Sequence, residues 1–146
     1  MKKHANIPVF IPHEGCPNAC VFCNQCAITG EHEKADRDIR PEIDAALKSV
    51  SLPASDVQIA FFGGSFTGID RSLMVRLLDD AYAYVRAGKV DSIRLSTRPD
   101  YISAEILDIL KSHGVKSVEL GIQSMDEKVL ALAKRGHTVS DSTRAC

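Results

Sequence analysis

The stretch GCPNACVFCNQC, residues 15–26, contains four of the five cysteines in the chain. Three of them, Cys16, Cys20 and Cys23, are spaced C-x3-C-x2-C, and Cys26 follows three positions later. Disulfides explain this pattern poorly, because cysteines so close in sequence rarely reach disulfide geometry and the number of cysteines is odd. The density of cysteines also exceeds what burial of small residues produces, so the stretch indicates a metal site.

Two kinds of metal site fit these cysteines. Zinc in a closed structural site takes four ligands, and Cys26 or His13 would complete the set. Iron–sulfur clusters are held by thiolates in short runs of this kind. Three thiolates on a four-iron cluster would leave one iron open to a small molecule. The spacing alone leaves both alternatives open.

The composition of the chain is that of one globular domain, residues 1–146. The chain has a formal net charge of −1, with 45% hydrophobic and 25% charged residues. No apolar run reaches the length of a membrane span, and Pro8 and Pro12 interrupt the apolar run near the N-terminus, which argues against a signal peptide. We therefore expect a cytoplasmic protein with reduced thiols. The near-neutral charge gives no electrostatic case for nucleic acid, and we expect neither a membrane nor a DNA partner.

Short apolar runs alternate with helical patterns along the rest of the chain. Strands are predicted at residues 7–11, 57–62, 93–97 and 115–122. Helices are predicted from Pro41, between Asp70 and Gly88, between Ser103 and Gly114, and at residues 125–135 behind a capping box of Ser124 and Glu127. Such alternation predicts parallel strands with right-handed crossovers, so the fold class is α/β. A doubly wound sheet and a barrel both fit the alternation.

The cysteine pattern resembles a known family signature. CPNACVFC, residues 16–23, is similar to the cluster-binding motif of the radical S-adenosylmethionine (SAM) enzymes, including the aromatic Phe22 before the last cysteine. The resemblance implies that Cys16, Cys20 and Cys23 hold a [4Fe-4S] cluster whose open iron binds SAM. It also implies an electron donor such as flavodoxin or ferredoxin, and cleavage of SAM to a 5′-deoxyadenosyl radical that abstracts hydrogen from a substrate.

The resemblance also favours the barrel over the doubly wound sheet. It implies a partial (β/α)6 TIM-type radical SAM barrel, of which this chain supplies about four βα units. The cysteine loop, residues 13–30, would follow the first strand at the C-terminal face, where barrel enzymes have their sites.

A glycine pair at the end of the second predicted strand carries a second motif. Gly63, Gly64 and Ser65 resemble the family's GGE-type motif, whose backbone binds the SAM amino group. Glycine is required there because a Cβ would block close approach of the backbone. Ser65 stands where many members have Glu, Thr or Gly, so the resemblance implies a backbone role at this position.

Two further stretches resemble the elongator-type branch of the family. LSTRPDYI, residues 95–102, is similar to a Glu-Thr-Arg-Pro-Asp-Tyr motif, with Ser96 in place of the glutamate that would face SAM. VELGIQSMDEKVLALAKRGHT, residues 118–138, resembles both elongator-type proteins and oxygen-independent coproporphyrinogen oxidases. This match implies that Gln123 contacts SAM and that Arg135 pairs with the SAM carboxylate. Strand alternation predicts that Glu119 and Gln123 point to one face, the barrel interior. His137 is a candidate proton donor.

Two function classes follow from these motifs. The first is a radical SAM enzyme acting on a tRNA base or, by the oxidase resemblance, on a tetrapyrrole. The second is a non-catalytic module in which Cys16, Cys20, Cys23 and Cys26 all close around zinc or an iron–sulfur cluster. Cys26 discriminates between them, because four protein thiolates would leave no open iron for SAM.

The predicted strand count falls short of the family barrel, which has six strands in its common form. Ser140 resembles the N-cap of a helix that continues past Cys146. We therefore expect the natural chain to extend further. We also expect the 146-residue chain to self-associate through the edge of its fourth strand and to be at best feebly active.

Overall fold

The computed structural model describes residues 4–11, 16, 20–23, 36–50 and 56–146. The strands are β1 (His4–Ile11), β2 (Asp56–Gly63), β3 (Ser92–Thr97) and β4 (Val115–Leu120). The helices are α1 (Arg40–Ser49), α2 (Arg71–Arg86), α3 (Ala104–Ser112), α4 (Glu127–Leu132) and α5 (Val139–Ala145). Two 3₁₀ turns, Phe66–Gly68 and Pro99–Tyr101, follow β2 and β3. Within these ranges, no helix has the length and apolar character needed to cross a membrane.

The four strands form one parallel sheet in the order β1-β2-β3-β4. Ile59 of β2 is in register with Ile7 on one side and Ile93 on the other, so apolar positions line up across the sheet. A doubly wound sheet reverses its strand order at a switch point, whereas the spatial order here follows the chain. The prediction of an α/β fold with a partial TIM-type barrel is confirmed, and the carboxyl ends of all four strands lie at one edge.

One core lies between the sheet and the helices. α2 contributes Leu77 and Ala81 to this core, and Phe61 of β2 stacks on Phe66 with ring centroids 4.5 Å apart. The strand residues buried in this core are Ile7, Val9, Ile11, Ile59, Phe61, Ile93 and Leu95. Full burial of each such side chain contributes roughly 1.5–3 kcal/mol, so this face fixes the register of the sheet.

Two predicted helix caps are confirmed. The Asp70 carboxylate accepts a hydrogen bond from the Leu73 amide at 3.0 Å, and the Ser103 hydroxyl accepts one from the Ile106 amide at 3.2 Å. Gly114, after α3, has a φ of 73°, which favours glycine. The two helices therefore begin where the sequence indicates.

The predicted end of the fourth strand is wrong. β4 ends at Leu120, two residues earlier than expected, and Gln123 has a φ of 68°. The side-chain alternation that grouped Glu119 with Gln123 therefore does not reach Gln123, because that residue lies in a left-handed turn beyond the strand.

The predicted caps of the last two helices are also wrong. Asp126, rather than Ser124, caps α4: its carboxylate accepts from the Lys128 and Val129 amides. An ionised carboxylate that satisfies two first-turn amides is the stronger cap. α5 is capped by Thr138 in a capping box with Asp141, so Ser140 lies inside the helix.

Candidate functional site

A buried hydroxyl cluster joins the ends of β2 and β3. The Thr97 hydroxyl lies 2.9 Å from the Ser65 hydroxyl and 2.6 Å from the Thr67 hydroxyl. The Ser65 hydroxyl also accepts a hydrogen bond from the Arg98 amide at 3.1 Å. The Ser65 side chain is therefore engaged within the protein. Thr67 lies outside the motifs and Thr97 lies inside the Thr-Arg-Pro-Asp stretch, but the sequence analysis assigned a role to neither residue.

Gly63 occupies a position that only glycine fits. Its φ is 114°, and a Cβ added there would lie 2.6 Å from the Ile11 carbonyl oxygen. The neighbouring Gly64 amide donates to the same oxygen at 3.0 Å. Since Ile11 ends β1, the glycine turn packs directly against the strand that precedes the cysteine loop.

Arg98 is a buried cation at the end of β3. Its side chain donates to both Asp100 carboxylate oxygens, at 2.9 and 2.8 Å, and Nη1 donates to the Arg135 carbonyl at 2.7 Å. Arg98 is only 3% exposed, and its pairing with Asp100 supports the positive charge in this buried position. The sequence analysis assigned no role to Arg98, although it named the Thr-Arg-Pro-Asp stretch in which Arg98 lies.

Arg135 connects the α4–α5 loop to the cysteines. Its Nη1 donates to the Cys20 sulfur at 3.3 Å, Nη2 donates to the Gly121 carbonyl, and the guanidinium carbon lies 5.8 Å from the centre of the Phe22 ring. The Val21 amide also donates to the Ala133 carbonyl at 3.2 Å. The four residues 20–23 are thereby packed against the loop after α4.

The three motif cysteines have free thiols that differ in burial. Cys20 is buried, whereas Cys16 and Cys23 are partly buried, and the Cys23 amide donates to the Cys20 carbonyl at 3.0 Å. Burial raises the pKa of the Cys16 thiol, while the Arg98 charge and a hydrogen bond from the Ser65 backbone oppose this rise. Cationic and amide donors of this kind stabilise thiolate ligands.

The three motif thiols fit the ligand chemistry of an iron–sulfur cluster. Among the described residues, no three His, Cys, Asp or Glu side chains are placed to hold one metal ion. A [4Fe-4S] cluster binds each cysteine through a different iron, so its thiolates need not converge on one point. Three thiols beside a glycine cradle and two arginines therefore fit such a cluster. Cys26 and His13 lie outside the described residues.

Gln123 and Arg135 lie beside the same glycine. A Cβ added to Gly121 would be 3.3 Å from Arg135 Nη2 and 3.7 Å from Gln123 Nε2. The structure thus brings together two of the side chains for which the family resemblance implies SAM contacts. The separate prediction from strand alternation, that Gln123 points to the same face as Glu119, is wrong.

Ser96 lies on the face of the sheet opposite the core. Its hydroxyl donates to Glu119 at 3.1 Å, and Arg94 pairs with the same carboxylate. These three residues help line an open groove of about 270 Å³ together with Asn6, Pro8, Ala60 and Phe62. The Glu119 side chain is 55% exposed, so its charge needs no buried partner.

His137 is buried behind the turn that follows β4. Its Nε2 donates to the Ile122 carbonyl at 3.2 Å. Burial, followed by the Arg135 charge, lowers the pKa of the imidazole, so the neutral form is favoured. In this structure His137 supports the backbone beside Gly121.

Comparison with known proteins agrees with this arrangement. A family model described as "Radical SAM superfamily" matches residues 10–146. The "tRNA uridine(34) acetyltransferase" of Methanocaldococcus jannaschii is 29% identical over 116 residues, 68% of this chain and 21% of that protein. "Elongator complex protein 3" of Saccharomyces cerevisiae is 28% identical over 160 residues, 92% of this chain and 28% of that protein. An uncharacterized protein of M. jannaschii is 28% identical and is covered to 47% of its length.

A solved structure shares the fold. The archaeal Elp3 of Methanocaldococcus infernus with an N-terminal deletion superposes with a TM-score of 0.66 at 22% identity, covering 99% of this chain and 34% of that one. This chain spans less than half the length of each of these relatives. Because the family model matches nearly all of its residues, the chain belongs to the radical SAM superfamily, which is a family of enzymes.

Proposed function

We propose that Cys16, Cys20 and Cys23 hold a [4Fe-4S] cluster and that the chain uses it in the reductive cleavage of SAM. The observation that carries the proposal is the hydrogen bond from Arg135 to Cys20, which joins the free-thiol motif to the elements at the carboxyl edge of the sheet. When bound, the cluster would supply one electron to the SAM sulfonium, so that a C–S bond breaks to give methionine and a 5′-deoxyadenosyl radical, and the external donor would restore the electron to the cluster. In the alternative function, a closed four-cysteine module, Cys26 would be the fourth ligand.

The residues around the cysteines supply the SAM site in this proposal. The backbone at Gly63, Gly64 and Ser65 receives the amino group of SAM, as the family resemblance implies, and the contact of Gly63 with the Ile11 carbonyl requires glycine in this turn. Gln123 and Arg135, both beside Gly121, bind the polar end of SAM, with Arg135 toward the carboxylate.

Phe22 and Ser96 are the remaining residues of the proposed SAM site. Phe22 lies beside the Arg135 guanidinium, whose central carbon is 5.8 Å from the centre of the ring. Ser96 faces the groove with Glu119 and offers a hydroxyl in place of the family carboxylate.

The substrate class is a tRNA base. Support comes from the relatives, since the proteins named "tRNA uridine(34) acetyltransferase" and "Elongator complex protein 3" match this chain over most of its length. The electron donor is a small redox protein such as flavodoxin or ferredoxin, and the protein acts in the cytoplasm.

The experiment is anaerobic reconstitution with iron and sulfide. The wild-type chain should take up about four irons and give the visible absorption of a [4Fe-4S] cluster. Cys16→Ala, Cys20→Ala and Cys23→Ala should each abolish uptake, whereas Cys26→Ala should not. Cys146→Ala is the matched control, because Cys146 is an exposed free thiol outside the motif. Loss of the cluster in Cys26→Ala would favour the closed module and contradict the proposal.

A further inference from the structure

The turn that ends α4 has the backbone hydrogen bonds of a Schellman motif. The Lys134 amide donates to the Ala131 carbonyl at 3.1 Å, and the Arg135 amide donates to the Leu130 carbonyl at 3.0 Å. Lys134 occupies the left-handed position of this motif, with a φ of 54°. Glycine is the usual residue there, because a side chain strains the left-handed conformation. A lysine is therefore held in a backbone conformation that it adopts reluctantly.

The residues on both sides of this left-handed position contact the cysteine segment, residues 20–23. The Ala133 carbonyl accepts a hydrogen bond from the Val21 amide at 3.2 Å. Nη1 of Arg135 donates to the Cys20 sulfur at 3.3 Å. Because both contacts come from one turn, the path of its backbone decides whether they can form together.

The reversal at Lys134 makes these contacts possible. In a continued helix, the Ala133 carbonyl would point along the helix axis and accept from the amide four residues later. The left-handed residue ends the helix instead and leaves this carbonyl for an amide elsewhere in the chain. Gly136 also has a positive φ, of 78°, so Arg135 lies between two left-handed residues. The Arg135 carbonyl accepts from Arg98 Nη1 at 2.7 Å, which fixes the turn to the end of β3.

We propose that Lys134 is a positioning residue: its left-handed backbone conformation, and not its charge, holds the cysteine segment and Arg135 together. The docking of the cysteine segment on the turn requires no cluster. The consequence for SAM rests on the proposed function, in which Cys20 and Cys23 bind the cluster and Arg135 binds the SAM carboxylate. A strained residue that its surroundings hold in place is typical of sites whose geometry is set before the ligand binds.

The test compares substitutions that differ in their preference for the left-handed region. Lys134→Gly and Lys134→Asn remove the charge but adopt that region readily, whereas Lys134→Val removes the same charge and introduces a β-branched side chain that disfavours it. Lys128→Val makes the same change at an exposed position in the first turn of α4 and is the control. Hydrogen exchange of the Val21 amide is measured by NMR in the chain without iron. SAM affinity is measured in the reconstituted chain and normalised to iron content.

The expected result follows backbone preference. Lys134→Val should exchange the Val21 amide about tenfold faster than wild type and bind SAM about tenfold more weakly. Lys134→Gly, Lys134→Asn and Lys128→Val should keep the wild-type values. The amide of Ile93, in the buried core of the sheet, should exchange at the wild-type rate in every variant. A purely structural effect of Lys134→Val would instead accelerate exchange at Ile93.

Two results would overturn the inference. One is wild-type exchange of Val21, or wild-type SAM affinity, in Lys134→Val. The other is faster exchange in Lys134→Gly or Lys134→Asn, which would assign the effect to the lysine charge. If Lys134→Val does not fold, these last two variants decide. A wild-type chain that takes up no cluster contradicts the proposed function, and the exchange of Val21 then decides the role of Lys134 by itself.

Discussion

Arg135 donates a hydrogen bond from Nη1 to the sulfur of Cys20, 115 positions earlier in the chain, at 3.3 Å. The same guanidinium donates to the Gly121 carbonyl, beside Gln123. One side chain therefore joins a proposed cluster ligand to the proposed SAM site. Any substitution at Arg135 acts on both, so its tests have to measure cluster content and SAM affinity separately.

Arg135→Lys should weaken SAM binding while preserving the charge. A lysine ammonium cannot make the two-pronged contact of a guanidinium with a carboxylate. Loss of one charge-assisted hydrogen bond costs about 1.5–3 kcal/mol, or roughly 10- to 100-fold in affinity. The measurement is equilibrium SAM binding to the reconstituted chain, normalised to iron content.

Arg144→Lys is the control for that substitution. Arg144 is an exposed arginine on α5 that pairs with Asp141. The Arg144→Lys substitution should leave the affinity for SAM at the wild-type value. Wild-type affinity in Arg135→Lys would contradict the proposed contact between Arg135 and the SAM carboxylate.

Gly63→Ala should destabilise the fold more than Gly88→Ala. Both glycines have positive φ, which costs a non-glycine residue about 1–3 kcal/mol. At Gly88 nothing lies within 4 Å of an added Cβ, whereas at Gly63 the Ile11 carbonyl oxygen would be 2.6 Å away. Urea unfolding measures the difference between the two variants. Equal losses of stability would show that the turn at Gly63 has room for a side chain.

Thr97→Val should cost roughly 1–3 kcal/mol, because it leaves two buried hydroxyls without their shared partner. Those hydroxyls belong to Ser65 and Thr67. Thr143→Val, on the exposed side of α5, is the control and should change stability far less. Thermal unfolding of the two variants provides the measurement. A loss no greater than that of Thr143→Val would mean that the hydroxyl cluster adds little.

His137 should make stability fall at acidic pH. Its pKa is lowered in the folded state, chiefly by burial and then by Arg135, whereas an unfolded histidine titrates near about 6.5. Above that pH both states are neutral and the residue contributes no slope. Below it the unfolded state binds the proton first, so the free energy of unfolding declines until the folded pKa is passed.

The measurement is the urea concentration at the midpoint of unfolding, determined above and below about pH 6.5 in wild type and in His137→Gln. The glutamine amide can still donate to the Ile122 carbonyl, so the variant should fold and show a shallower decline. If stability declines as steeply in His137→Gln as in wild type, groups other than His137 cause the decline.

The fold was predictable because its elements carry local signals. Apolar runs gave β1 to β3 within a few residues, and the caps at Asp70 and Ser103 lie where expected. The end of β4 was not predictable, because the apolar pattern continues through Ile122 while Gln123 turns into the left-handed region. The cap of α4 was mistaken because Ser124 accepts from the Asp126 amide ahead of the helix, whereas Asp126 accepts from the Lys128 and Val129 amides in its first turn.

The site was predictable only where a residue type belongs to a motif. The cysteines, the glycine pair, Gln123 and Arg135 were named from such patterns, and the structure places several of them together. Arg98 and Thr97 were missed because their roles depend on contacts with Arg135 and Ser65, which are distant in sequence. Ser96 was also named from a motif; its hydroxyl donates to Glu119 on the face of the sheet opposite the core, and its contact with SAM stays a prediction.

The most direct test of the central claim is EPR of the reconstituted, reduced chain with and without SAM. If Cys16, Cys20 and Cys23 hold a cluster with an open iron, the reduced chain gives a cluster signal that changes when SAM is added. Adenosine, which lacks the amino and carboxylate groups, should leave the signal unchanged. A cluster signal that saturating SAM does not alter, or one that persists in Cys20→Ala, would contradict the account.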